Sequence, residues 1–131
     1  MLPLTEDRAM ELLQRCFGDL SHAYCWEAIE NIEWSGESSG TEVLVDDVYN
    51  VVFDPNGWTM ASRIAAARYF GREDSPLGYR LTRVEILDMV RQPWIANADF
   101  YVIDCDGSLR AMRTHEDPDS QYGFWIPTKD V

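Results

Sequence analysis

Phe100-Tyr101-Val102-Ile103-Asp104-Cys105-Asp106-Gly107-Ser108-Leu109-Arg110-Ala111-Met112-Arg113-Thr114 is the stretch that decides the fold. Phe100 to Ile103 is a short run of β-favouring residues and reads as a buried strand. Asp106-Gly107 is the strongest hairpin signal in the chain, because a tight two-residue turn needs positive φ, which Asp tolerates and Gly adopts freely. Leu109 to Thr114 then returns along the first strand. A turn this short fixes an antiparallel pair, since parallel neighbours need a crossover of about a dozen residues or more.

On the C-terminal side, residues 115–121 are a polar loop and Tyr122 to Ile126 reads as a last strand. On the N-terminal side, a helix is expected over 83–91. The capping box Thr82-x-x-Glu85 starts it and Pro93 follows its end. Residues 72–79, with Pro76 and Gly78, read as a loop. A helix over 59–70 starts near Thr59, turns Met60, Ile64, Ala67 and Tyr69 or Phe70 to a core, and closes at Gly71. Asp54-Pro55-Asn56-Gly57 is a turn. Thr41–Val45 and Val48–Phe53 are strands expected to pair through Asp46-Asp47, and Ser35 to Gly40 is a loop.

Two helices are expected before that. One covers 6–17, capped by Thr5, with Ala9, Leu12, Leu13, Cys16 and Phe17 at helical spacing and Gly18 after it. The other covers 20–33, with Tyr24, Cys25, Ala28, Ile29 and Ile32 on one face. The expectation is therefore a single α+β domain over residues 1–131. It has an antiparallel sheet of four or five strands, about four helices packed against it, and the order ααββααβββ.

Composition bounds the function. The chain has 131 residues, 46% hydrophobic and 26% charged, the profile of one globular domain. It carries 23 acidic against 11 basic residues, a net charge of -12, which argues against direct binding of nucleic acid through its phosphates. No apolar run approaches the ~20 residues of a membrane helix, and no signal peptide is evident, so a cytoplasmic protein without membrane contact is expected. Cys16, Cys25 and Cys105 read as reduced thiols rather than a disulfide framework. Together with His22 they could be drawn as a zinc site, but the tight cysteine pairs of structural zinc are missing. No metal and no cofactor is expected.

Val102-Ile103-Asp104-Cys105-Asp106-Gly107-Ser108-Leu109 resembles the first motif of haloacid dehalogenase-like phosphatases, an apolar strand followed by D-x-D-G-[TS]-L. The resemblance would make Asp104 a nucleophile and Asp106 an acid/base. It covers about eight residues. That family also needs a parallel sheet beyond the motif and a downstream lysine and acids, whereas 22 residues follow Leu109 here, with Lys129 their single lysine. His115-Glu116-Asp117 places an imidazole beside carboxylates, in a segment that otherwise reads as solvated loop. Neither Asp46/Asp47 nor Asp104/Asp106 fits a calcium-loop pattern.

The uneven feature is where the charge lies. Residues 1–15 carry three acids and two bases, and residues 63–113 carry seven acids and eight arginines. Residues 114–131 carry four acids and one lysine. Between Arg15 and Arg63 there are nine acids and no Lys or Arg. On a helix over 20–33, Glu27, Glu30 and Glu33 would form one acidic stripe, continued in sequence by Glu37, Glu42, Asp46 and Asp47, with Trp34 interleaved as an interface anchor. This pattern points to a non-enzymatic binding module that neutralises a basic protein by electrostatic steering. Immunity proteins for nuclease-type toxins share this physical class. Three alternatives remain: a nucleic-acid mimic acting on a defence or regulatory protein, a homo-oligomeric domain with an apolar patch around Trp58, Trp94 or Trp125, and a small enzyme using Asp104, Asp106 or His115.

Overall fold

A computed structural model of the chain describes residues 2–21, 25–29, 47–113 and 124–128. In chain order its elements are β1 (Leu2–Pro3), α1 (Glu6–Ser21), β2 (Cys25–Ile29), β3 (Val48–Trp58), α2 (Met60–Tyr69) and β4 (Gly78–Thr82). They continue with α3 (Arg83–Met89), a 3-10 turn (Pro93–Asn97), β5 (Ala98–Ile103), β6 (Leu109–Arg113) and β7 (Phe124–Thr128). The strands form one antiparallel sheet in the order β1-β4-β3-β5-β6-β7-β2. Five of them, β1 to β6 without β2, make the body against which the helices pack, and β7 and β2 extend it at one edge.

The α+β class and the antiparallel sheet agree with the sequence reading. The four helices and the order ααββααβββ do not. Residues 25–29, expected inside a helix, are a strand paired along its whole length with β7, from Cys25 opposite Thr128 to Ile29 opposite Phe124. Cys, Trp and Ile extend more readily than they coil, and the partner strand supplies what local periodicity could not indicate. The hairpin expected between 41–45 and 48–53 also fails over Asn50–Val52. There β3 is bonded to β4 on one side and to β5 on the other. Residues 41–45 lie outside the described residues. β4 replaces the end of the expected 72–79 loop, with Tyr79 and Leu81 buried and Arg80 and Thr82 exposed in alternation.

Other readings hold in detail. The Thr82 side chain accepts from the Glu85 amide at 3.2 Å, and the Glu85 carboxylate accepts from the Thr82 amide at 2.9 Å, completing the capping box. Thr59 caps α2 by accepting from the Ser62 amide. Asp54-Pro55-Asn56-Gly57 does turn, with Asp54 Oδ1 accepting from the Asn56 amide at 2.9 Å. It turns as a bulge within β3, however, because the pairing with β5 resumes at Trp58 opposite Ala98.

β3 is buried on both of its faces from Tyr49 to Phe53, so it is a central strand covered on two sides. One face carries Val51, Phe53 and Tyr79. Phe53 stacks on Trp58 with centroids 4.5 Å apart, and Phe70 at the end of α2 stacks on Tyr79 at 3.9 Å. Trp94 from the 3-10 turn approaches Phe53 at 5.9 Å. α2, the 3-10 turn and α3 therefore cover this side, with Ile86 and Met89 of α3 buried. The opposite face carries Val52 and Gly78 and receives α1. A Cβ on Gly78 would lie 2.9 Å from Leu4 Cδ1 and 3.5 Å from Ala9 Cβ, so the missing side chain lets α1 and its leading segment sit against the sheet. Ala9, Leu12, Leu13 and Cys16 are the buried stripe of that helix.

Candidate functional site

Of the sequence-selected acids, only Glu27 and Asp47 fall within the described residues. Glu27 lies in β2 opposite Ile126. Asp47 is exposed at the bend just before β3, where its carbonyl accepts from the Arg83 amide at 3.0 Å. β2 and β3 are four strand spacings apart in the sheet, roughly 19 Å at the usual separation. Because residues 25–29 are extended, Glu27 does not belong to a helical stripe. Glu30, Glu33, Trp34, Glu37, Glu42 and Asp46 lie outside the described residues, as does His115.

Asp104 is where the sequence placed it, at the end of β5, with only 2% of its surface exposed. Its Oδ1 accepts from the Asp106 amide at 3.0 Å and the Ser108 amide at 2.9 Å, and its Oδ2 accepts from Arg110 Nε at 2.8 Å. Gly107 takes a φ of 88°, and a Cβ there would meet the Arg15 guanidinium at 2.7 Å. Both oxygens of Asp104 are thus engaged in closing the hairpin. A carboxylate so held braces a turn; it is not presented to a substrate. The phosphatase-like motif is accounted for by this geometry.

Two of the three tryptophans expected to mark an apolar surface patch are placed differently. Trp58 is buried and Trp94 half-buried, and both belong to the ring cluster over Phe53. Trp125 lies in β7 opposite Ala28 and Met112. Among the described residues the large apolar side chains left exposed are Leu2, Met60, Ile64 and Val84, so Met60 and Ile64 do not face the core as expected. Cys16 is buried as expected, but Cys105 is exposed, with Arg80 Nη2 donating toward its sulfur at 3.2 Å. Among the described residues no three His, Cys, Asp or Glu side chains converge to hold a metal, and no helix is long and apolar enough to cross a membrane.

A cleft of about 370 Å³ opens where the segment leading into α1 meets α2 and the 72–77 loop. Arg63 spans part of it: Nη2 donates to the Ser75 carbonyl at 3.3 Å, and the guanidinium lies 5.6 Å from the Trp58 ring centre. Ser75 itself has a φ of 42°, uncommon for a residue with a side chain. Arg72 forks onto Asp74 through Nε and Nη2, both at 2.9 Å. These hydrogen bonds hold the Asp74 carboxyl below the usual carboxylate range and the Arg72 guanidinium above its own ordinary value. Glu6, in the first turn of α1, is the second carboxylate on the wall. The sequence held one pointer to this place. Residues 55–72 contain three arginines and no acid, in a chain dominated by acids.

No protein-family model, no curated protein and no solved structure matches the chain.

Proposed function

We propose that the protein is an acidic binding module that neutralises a basic protein partner, in the manner of an immunity protein acting on a nuclease-type toxin. The observation that carries this reading is the stretch between Arg15 and Arg63, where nine carboxylates occur without one Lys or Arg while the rest of the chain stays near balance. Such an excess opposes compaction of its own chain and attracts a cationic surface, so it is best explained by a partner that supplies the missing cations. Steering of this kind speeds encounter and fixes orientation more than it adds affinity. The extended form of residues 25–29 refines the reading: the carboxylates that matter are those between β2 and β3 together with Asp47, not a helical stripe from Glu27.

The test is capture from the native cell at low salt with mass spectrometry of the eluate. The expected outcome is a basic nuclease or another nucleic-acid-binding protein, released as salt rises from roughly 0.05 to 0.5 M. Reversal of Glu37, Glu42, Asp46 and Asp47 to Lys should abolish capture while thermal unfolding stays cooperative. Undiminished capture by the reversed protein rejects the acidic stretch as the interface.

A further inference from the structure

The cleft beside α2 has a charge pattern that the acidic-module reading does not use. Four ionisable residues line it, two of each sign: Arg63, Arg72, Glu6 and Asp74. Arg72 and Asp74 are closed on each other by two parallel hydrogen bonds and count as one neutral unit. Arg63 has a carbonyl and a ring face as neighbours, but no carboxylate among the described residues. Glu6 likewise takes no part in the ion pairs Arg8–Glu11, Arg72–Asp74 and Arg110–Asp104. One guanidinium and one carboxylate on a single concave wall thus have no oppositely charged partner among the described residues. Leu4, Pro76 and Leu77 supply apolar surface in the same cleft.

A lone anion would gain Arg63 but meet Glu6, and a lone cation would gain Glu6 but meet Arg63. A molecule carrying both charges satisfies both. We propose that this cleft binds a small zwitterion of the free amino acid or short peptide class, with its carboxylate on Arg63, its ammonium on Glu6 and its side chain against Leu4 and Leu77. The volume of about 370 Å³ lies at the small end of the range of ligand pockets, which suits one or two residues.

Calorimetric titration of the full chain with L-leucine and with the dipeptide Leu-Leu tests this, with acetate and n-butylammonium as the two half-ligands. Saturable binding of at least one zwitterion is expected, at least tenfold tighter than either half-ligand. Arg63→Gln and Glu6→Gln should each weaken it about tenfold or more, the loss expected for one charge-assisted contact. Arg68→Gln, which removes the same charge from the exposed side of α2 outside the cleft, should leave it unchanged. Melting curves separate lost binding from lost folding, and Arg63→Lys should restore part of the affinity of Arg63→Gln. Failure of both zwitterions to bind overturns the proposal. So does acetate binding as tightly as L-leucine, which would assign the cleft to simple anions, and so does binding indifferent to both cleft variants. None of these outcomes bears on capture of a basic protein.

Discussion

The two faces of the sheet are filled by opposite means. Over Phe53 and Tyr79 the space is taken by rings, with Trp58, Phe70, Trp94 and Phe100 in contact at centroid distances from 3.9 to 6.1 Å. Over Val52 and Gly78 the space is removed instead: α1 lies close because Gly78 has no side chain and Ala9 has a small one. Ring packing tolerates the irregular surface made by short helices and a 3-10 turn, because large planar groups fill it from several directions. Close approach demands a straight helix with small residues at the contact. The comparison predicts that the first face is sensitive to losing volume and the second to gaining it.

The largest effect should come from the ring face. Phe53 is fully buried and touches three other aromatic rings, so Phe53→Ala removes contacts that the surrounding rings cannot close over. Chemical denaturation should show a loss of about 3–5 kcal/mol. A loss below about 1 kcal/mol would mean that the rings collapse into the space and that this face is not packed as described. Gly78→Ala probes the other face with one methyl group. Its Cβ would meet Leu4 Cδ1 at 2.9 Å, which can turn away, and the Val51 carbonyl at 3.0 Å, which is fixed in the ladder. A destabilisation of about 1–3 kcal/mol is expected, and α1 should show faster amide exchange. Equal or greater stability in Gly78→Ala would remove close approach as the principle of that face.

The same contrast explains how much could be read from the sequence. Signals that depend on three or four neighbours are present in the structure: the Thr82/Glu85 capping box, the Asp106-Gly107 turn and the Thr59 cap of α2. Elements stabilised by distant partners were misread. Cys25–Ile29 satisfies a helical template through Cys25, Ala28 and Ile29, yet its strand form depends on Phe124–Thr128, almost a hundred residues on. β4 is five residues long and its alternation is legible only once β3 and β1 flank it. Asp54-Pro55-Asn56-Gly57 carried a correct local reading and a wrong global one, since the chain turns there without leaving the strand. In the candidate sites, the hairpin reading of Asp104 was legible against its resemblance to a phosphatase motif, and its burial and three donors assign it to the hairpin. The cleft was hidden because Glu6, Arg63 and Asp74 come from three separated segments.

The smallest predicted effect sharpens the comparison at Tyr79, which sits within the ring face with 1% of its surface exposed. Burial pushes its hydroxyl up from the ordinary value of 10.0 to about 12, the Asp74 carboxylate adding to the rise and Arg72 opposing it. The folded chain therefore keeps the neutral phenol where the unfolded chain has already lost its proton. The stability that this group contributes is complete below pH 10 and drains away between pH 10 and about 12. Tyr69 shifts in the same direction, through burial and the hydrogen bond that its hydroxyl donates to Asp88, so some alkaline sensitivity survives any single change. Tyr79→Phe keeps the ring that stacks on Phe70 and removes the titrating group. Denaturation midpoints measured from pH 8 to 12 should fall less steeply for Tyr79→Phe than for the parent. Parallel slopes would show that the Tyr79 hydroxyl reaches water, and that the ring face is open at the point where α2 meets β4.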